Sequence, residues 1–133
     1  MPGPFIFIAT NRLKHGKLEA ERRRVPGLVE FIEENEPRLN AFNEYANEEG
    51  TEVSVVQVHR DAESMEFHMK TVADRAARAY AETLESTAAI QVFGTPSERI
   101  LDMLRNQAGA GVPINIAPLH LGGFTRLDSE SRS

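Results

Sequence analysis

"HRDAESMEFHMKT", residues 59–71, joins the end of a predicted strand to the first turns of a predicted helix. Asp61 is a typical N-cap residue, because its side-chain oxygen can accept a hydrogen bond from an unpaired amide at the start of a helix. Met65 and Met69 then begin an apolar stripe at helical spacing, which continues to Ala76. The stretch therefore predicts a helix that packs against a sheet.

The segments before this stretch predict three strands and a first helix. Apolar residues 5–9 predict the first strand, and a helix that contains Pro26 follows, either kinked or divided into two. Alternating segments on both sides of the turn NEEG predict a hairpin of two further strands. The helix that begins after Asp61 is expected to extend to about Glu85, with a bend near Asp74.

The segments after this stretch predict a fourth strand and an extension. AAIQVFG predicts the strand; in TPSERILDMLRNQ we expect Thr95 to cap the next helix, with Glu98 completing a capping box. VPINIAPLHLGGFTRL predicts a fifth, irregular strand, which its prolines restrict to an edge or an arm. The fold class is therefore α+β: a ferredoxin-like antiparallel sheet of four strands, helices on one face, and a C-terminal helix and strand extension.

Size and composition limit the class of protein. The chain has 133 residues, of which 41% are hydrophobic, and a net charge of −5. This size fits one domain over residues 1–133, with a core of about residues 4–94 and an extension of about residues 95–127. An acidic chain indicates no nucleic-acid partner. The absence of cysteine removes thiol catalysis and thiolate metal ligands, and agrees with a reducing cytoplasm.

The two ends of the chain predict neither targeting nor anchoring. The apolar run in the opening MPGPFIFIATNR is too short for a signal sequence or a membrane span. We therefore expect a cytoplasmic protein with no membrane partner. The polar end RLDSESRS predicts a frayed tail without function.

The predicted strands also indicate self-association. They are apolar on both faces, whereas the predicted helices cover one face only. The other face has to be buried, and the same face of a second copy of the chain is the simplest cover. We therefore expect a homodimer.

The stretch HRDAESMEFHMKT resembles the second-helix signature of the antibiotic biosynthesis monooxygenase-like family, the dimeric α/β barrels. The family pattern has an acidic cap, an apolar residue four positions later and a histidine three positions after that, which are Asp61, Met65 and His68 here. FIFIATNRLKHGK, residues 5–17, is similar to the opening strand of the family and the turn into its first helix. The resemblance covers residues 5–93 and implies a dimeric α/β barrel, a fold that hosts several unrelated reactions.

Two residues are candidates for catalysis. His68 lies at the margin of the apolar stripe, from which it can face either the sheet or water. Facing the sheet, it could act as a base or hydrogen-bond donor; otherwise it is a packed histidine bonded to the backbone. Asn11, in TNR, is similar to the position at which some relatives keep a substrate-contacting asparagine, and asparagine also commonly ends a strand.

Substrate contacts are expected from residues on the neighbouring elements. Gln57 and His59 share one strand face, Met65 and Met69 belong to the stripe, and His120 lies in the glycine-rich HLGGFTR segment. We expect a small apolar or aromatic ligand among these residues.

No metal or cofactor is predicted. A metal centre of His59, His68 and His120 is conceivable, but no carboxylate stands at a standard ligand spacing with them. The haem-degrading relatives use a histidine ligand and a tryptophan, whereas this chain has Arg78 in the ligand region and no tryptophan. The basic cluster ERRR, residues 21–24, predicts either attraction of an anion or, more simply, a solvated helix face paired with glutamates.

The resemblance implies one function and leaves a second open. The first is a cofactor-independent monooxygenase of quinol-like or polyphenolic small molecules, in which His68 and Asn11 position or deprotonate a phenol. The alternative is a non-enzymatic ligand-binding or dimeric scaffold domain of the same fold.

Overall fold

The computed structural model describes residues 3–126, so the predicted polar tail from residue 127 onward lies outside the described residues. Within these residues, nine elements follow one another: β1 (Phe5–Leu13), α1 (Leu18–Asn35), β2 (Leu39–Ala46), β3 (Glu52–His59), α2 (Ala62–Thr71), α3 (Ala73–Glu82), β4 (Leu84–Phe93), α4 (Glu98–Ala108) and β5 (Ile114–Ala117).

The five strands form one sheet in the order β2-β3-β1-β4-β5. β1 pairs antiparallel with both β3 and β4, and β2 pairs antiparallel with β3. This confirms the α+β class and the ferredoxin-like core. The predicted extension is present as α4 and β5. Because α4 returns the chain to the same end of the sheet, β5 joins β4 in parallel, as a short edge strand.

The helices pack on one face of the sheet. Phe5, Phe7 and Ala9 of β1 are buried against Met65 of α2 and Leu104 of α4. The alternate residues of the same strand point to the opposite face, where they are only partly buried. The core therefore lies between the sheet and the helices.

The second helix is broken earlier than predicted. α2 ends and α3 begins at Val72, whose amide bonds to the carbonyl groups of His68 and Lys70, rather than at a bend near Asp74. The expected end near Glu85 is also wrong, because β4 already begins at Leu84, which is buried. α1, by contrast, continues through Pro26 as one helix and is not divided into two.

The helix of the extension begins two residues later than its sequence suggests. The cap is Ser97, whose Oγ accepts a hydrogen bond from the amide of Ile100 at 3.1 Å, and not Thr95. This start directs Ile100 and Leu104, both with 0% exposure, into the core. Within residues 3–126, the helices are all too short or too polar to cross a membrane.

Candidate active site

A cavity of about 460 Å³ lies between the helix-covered face of the sheet and the helices. Its apolar walls include Phe7, Leu28, Met65 and Met69, and the last two are predicted substrate contacts. The polar side chains that reach it include Asn11, Arg24, Glu44, Gln57, His68 and Tyr80, together with Asn106 and Gln107 of α4. A mostly apolar pocket with a few convergent polar groups is typical of a small-molecule site.

His68 faces this cavity and is fixed by a buried carboxylate. Its Nδ1 lies 2.9 and 3.0 Å from the two carboxylate oxygens of Glu36, and the side chains of both residues are almost fully buried. The Nδ1–H therefore donates to Glu36, which leaves Nε2 without a hydrogen-bond partner among the described residues. Fully buried polar side-chain atoms in this part of the chain all have partners, so Nε2 is accessible from the cavity.

His59 lies behind Gln57 and does not line the cavity. It has 0% exposure; burial, with a smaller effect of the nearby His68, lowers its pKa to about 3, so the ring is neutral. Nε2–H donates to Gln57 Oε1 at 2.8 Å, and Nδ1 accepts from Ser64 Oγ at 2.7 Å. This chain of bonds turns the amide NH₂ of Gln57 away from His59, toward the cavity.

The side-chain amide of Asn11 is also oriented by hydrogen bonds so that its NH₂ group points into the cavity. Its Oδ1 accepts hydrogen bonds from Tyr80 Oη at 2.8 Å and Thr87 Oγ1 at 2.9 Å. The Nδ2 group is left to face the cavity. Gln57 pairs with Phe7, four residues from Asn11 along β1, so the backbone positions of Gln57 and Asn11 lie about 13 Å apart along the strand direction. Asn11 and His68 therefore share one cavity without touching each other.

His120 lies outside this cavity. It belongs to an exposed segment after β5, and its ring packs over Gly3 so closely that a Cβ atom there would lie 2.4 Å from it. It borders a second hollow, of about 840 Å³, together with Phe5 and Val58. Within the described part of the chain, no three histidine or acidic side chains are arranged to hold a metal ion.

A buried charged cluster at the other end of the cavity was not predicted. Arg24 donates to both oxygens of Glu21, from Nε at 2.9 Å and from Nη2 at 2.6 Å, and Thr83 donates to the same carboxylate at 2.7 Å. Nη2 of Arg24 also lies 4.0 Å from Glu44 of β2. Arg22 and Arg23 are exposed and Arg22 pairs with Glu19, as expected of a solvated face, whereas Glu21 is buried and Arg24 is half-buried.

The two acids of this cluster have opposite protonation states. Burial alone would raise the pKa of Glu21, but the hydrogen bonds from Arg24, Glu44 and Thr83 outweigh it and lower the pKa to about 2. For Glu44, burial and then the bond to the Glu21 carboxylate raise the pKa to about 9. Glu21 is therefore an anion and Glu44 a neutral acid at pH 7.

The signal that could have identified Glu44 is the pairing of β2. The register shifts between Leu39 and Ala41, which leaves Asn40 as an extra residue. A bulge of this kind exchanges the two faces of a strand, so Phe42 and Glu44 point toward the helices. Alternation in the sequence does not reveal this shift.

Comparisons with known proteins identify the fold. No family model matches the chain, and no curated protein is significantly similar to it. Among solved structures it is similar to MupZ from Pseudomonas fluorescens, at 20% identity over 93% of this chain and 95% of that one, with a TM-score of 0.68.

Two further structures match the core. An antibiotic biosynthesis monooxygenase is 12% identical over 70% of this chain and 99% of its own, with a TM-score of 0.58. Rv0793 from Mycobacterium tuberculosis is 15% identical over 72% of this chain and 98% of its own, also with a TM-score of 0.58. The chain thus has the fold of the antibiotic biosynthesis monooxygenase-like proteins, as the resemblance of residues 59–71 implied.

Proposed function

We propose that this protein is a cofactor-independent monooxygenase of quinol-like or polyphenolic small molecules. The observation that carries the proposal is the His68 and Glu36 pair: one ring nitrogen is fixed by a buried carboxylate and the other opens into a mostly apolar cavity. A histidine oriented in this way is suited to act as a general base.

The reaction requires a base for the phenolic proton and an oxidant, which is dioxygen. His68 Nε2 removes a phenolic proton from a hydroquinone, and Glu36 stabilises the imidazolium that forms. The amide NH₂ groups of Gln57 and Asn11 donate hydrogen bonds to oxygen atoms at opposite ends of a polyphenolic substrate and so favour the electron-rich phenolate. The phenolate reduces dioxygen through a ring carbon, which forms a bond to oxygen. One oxygen atom stays on that carbon, and the other leaves as water with the phenolic proton and the hydrogen lost from the same carbon. A hydroquinone and O₂ thus give a hydroxyquinone and H₂O.

The cavity walls contribute to this reaction by excluding water. Phe7, Met65 and Met69 surround the substrate ring with apolar atoms, which strengthens the electrostatic effect of the few polar groups. The binding of an aromatic ring is also favoured by burial of its apolar area.

Oxygen consumption with 1,4-naphthohydroquinone tests the proposal. Glutamine at position 68 can still donate to Glu36 but cannot act as a base, so H68Q should lower the rate above the uncatalysed background about 10²- to 10⁴-fold. N11A should also lower it, and H15A, at an exposed histidine, is the matched control. Melting temperatures show whether the variants remain folded. Wild-type rates in folded H68Q would remove His68 from the mechanism.

The same cavity supports the alternative of a ligand-binding domain. The amides of Asn11 and Gln57 are held by fixed hydrogen bonds, and they can bind acceptor oxygens without any reaction. A wild-type protein that binds quinones but consumes no oxygen with hydroquinones would favour this function.

We also propose that the protein acts as a homodimer. The helix-free face of the sheet carries Ile6, Ile8, Val56 and Val58, which are only partly buried. Phe93, which pairs with Ile6, is 39% exposed. Pairing of two such faces would remove this apolar surface from water.

A further inference from the structure

An irregularity in strand pairing brings Thr87 to Asn11. Thr10 pairs with Ala89 of β4, but Asn11 pairs with Thr87, so Ala88 is an extra residue in that strand. A bulge of this kind changes the direction in which the neighbouring side chains point. It places Thr87 opposite Asn11 on the helix-facing side, where both are almost fully buried. In an unbroken register Asn11 would face Ala88, whose side chain cannot form a hydrogen bond.

Asn11 Oδ1, Tyr80 Oη and Thr87 Oγ1 form a closed group of three oxygen atoms. Tyr80 Oη lies 2.8 Å from each of the other two, and Thr87 Oγ1 lies 2.9 Å from Asn11 Oδ1. Each hydroxyl group brings one proton, whereas the amide oxygen brings none and can only accept. If one proton joins the two hydroxyl groups, the other is left for Oδ1. At least one hydroxyl group therefore holds Oδ1 whenever both protons are bonded within the group.

The opposite orientation of the Asn11 amide would leave a hydroxyl proton unbonded within this group. With the NH₂ group turned toward the hydroxyl groups, their two protons would have only each other's oxygen atoms as acceptors, and one proton would have none. A buried donor without an acceptor is costly. The observed orientation also leaves Nδ2 without a partner among the described residues. Since fully buried polar side-chain atoms in this part of the chain all have partners, Nδ2 is accessible from the cavity.

The helix of the extension adds a donor to the group. Nε2 of Gln107, on α4, lies 3.4 Å from Tyr80 Oη and donates to it. This bond occupies a lone pair of the phenol oxygen, so it favours donation of the Tyr80 proton to the oxygen atoms on the other side. Residues of β4, α3 and α4 thus support one orientation of a single amide on β1.

We propose that Tyr80 and Thr87 are positioning residues, which hold Asn11 as a hydrogen-bond donor toward the cavity and make this end of the cavity select an acceptor oxygen, such as a carbonyl or a phenolate. A ligand that presents an N–H group here would meet a second donor. A ligand without a polar group would leave the amide without a partner. This inference rests on the proposed function for the contact between Asn11 and the ligand, and it involves no chemical step.

The affinities for 1,4-naphthoquinone and for naphthalene, which has the same two rings and no oxygen, test the inference by equilibrium dialysis. One hydrogen bond changes an affinity about tenfold, so N11A should lower the ratio of quinone to naphthalene affinity by about that factor. Y80F/T87V keeps Asn11 but removes both hydroxyl groups, and it should lower the ratio similarly. Y80F or T87V alone should lower the ratio less than about threefold, because one hydroxyl group still donates to Oδ1.

The affinity for naphthalene distinguishes positioning from a general disturbance of the cavity. It should stay within about threefold of the wild-type value in every variant, because the apolar walls are unchanged. In N11A/Y80F/T87V the ratio should equal that of N11A, since the hydroxyl groups act only through Asn11. Y45F, at the exposed Tyr45, is the matched control and should keep the wild-type ratio.

The positioning role is refuted if the wild type does not bind the quinone, if folded N11A or Y80F/T87V keeps the wild-type ratio, or if the triple variant has a lower ratio than N11A. The expected ratios, together with no oxygen uptake by the wild type with 1,4-naphthohydroquinone, would refute the proposed reaction and support the positioning role.

Discussion

Burial of neutral His59 should make this protein lose stability as the pH falls below 7. In the folded chain its pKa is lowered to about 3, against the ordinary value of 6.5. Between these values the unfolded chain binds a proton that the folded chain does not. Acid therefore favours unfolding, and the loss of stability begins near pH 6.5 and continues toward pH 3.

The size of the effect follows from the two pKa values. A pH of 5 lies one and a half units below the pKa of the histidine in the unfolded chain, and each unit is worth about 1.36 kcal/mol. The free energy of unfolding is therefore expected to be about 2 kcal/mol lower at pH 5 than at pH 7. The result depends little on the folded value, because any folded pKa below about 4 gives almost the same cost at pH 5. No allowance for solvent screening is needed, since His59 has 0% exposure.

Urea unfolding of the wild type and H59Q at pH 7 and pH 5 measures this cost. The variant is expected to be less stable at pH 7, because it loses the bonds to Ser64 and Gln57. On going from pH 7 to pH 5, however, its free energy of unfolding should fall by about 2 kcal/mol less than that of the wild type. Glu44 has a raised pKa and gains stability as the pH falls; this contribution is present in both chains and cancels in the comparison.

H15Q is the control, because His15 is exposed and its substitution should leave the pH dependence of the wild type unchanged. An identical change in the free energy of unfolding for the wild type and H59Q between pH 7 and pH 5 would refute the reasoning. It would mean that His59 binds its proton in the folded protein, so that Nδ1–H would donate to Ser64 Oγ instead of accepting from it, while Nε2–H would still donate to Gln57.

Two further predictions concern the extension and the assembly. S97A should lower the free energy of unfolding by about 1 kcal/mol through loss of the helix cap, whereas T95A should change it little. Equal effects of the two substitutions in urea unfolding would contradict the assignment of the cap. Light scattering after size exclusion should give the mass of a dimer at micromolar concentration. I8K, which places a charge on the helix-free face, should shift the measured mass toward that of the monomer. A monomeric wild type would contradict the dimer.

The strand and helix order could be predicted because it depends on local patterns. Apolar runs, the hairpin turn and the cap at Asp61 each act within a few residues, and the structure confirms the elements that they indicated. The break at Val72 and the cap at Ser97 could not be predicted as reliably. At each place several neighbouring residues could end or cap the helix, and packing of the helix on the core decides which of them does so.

The site was predictable only where one residue type was distinctive. His68 and Asn11 could be singled out, and both reach the cavity. Glu36 could not, because it stands in the acidic segment IEENEPR, where it looks like one of several solvated acids, and its partner is 32 residues away. The inward orientation of Glu44 could not be predicted, because it depends on the bulge at Asn40, and no residue preference in the local sequence indicates that bulge.

The position of α4 separates the control of ligand size from the control of reactivity. Met103, Asn106 and Gln107 of this helix form part of the cavity wall, and Gln107 also donates to Tyr80 at 3.4 Å. The groups proposed to act on oxygen functions all come from earlier segments. Substitutions at Met103 and Asn106 should therefore change the space for the ligand ring without changing the groups proposed to act on its oxygen atoms, whereas Gln107 is linked through Tyr80 to Asn11.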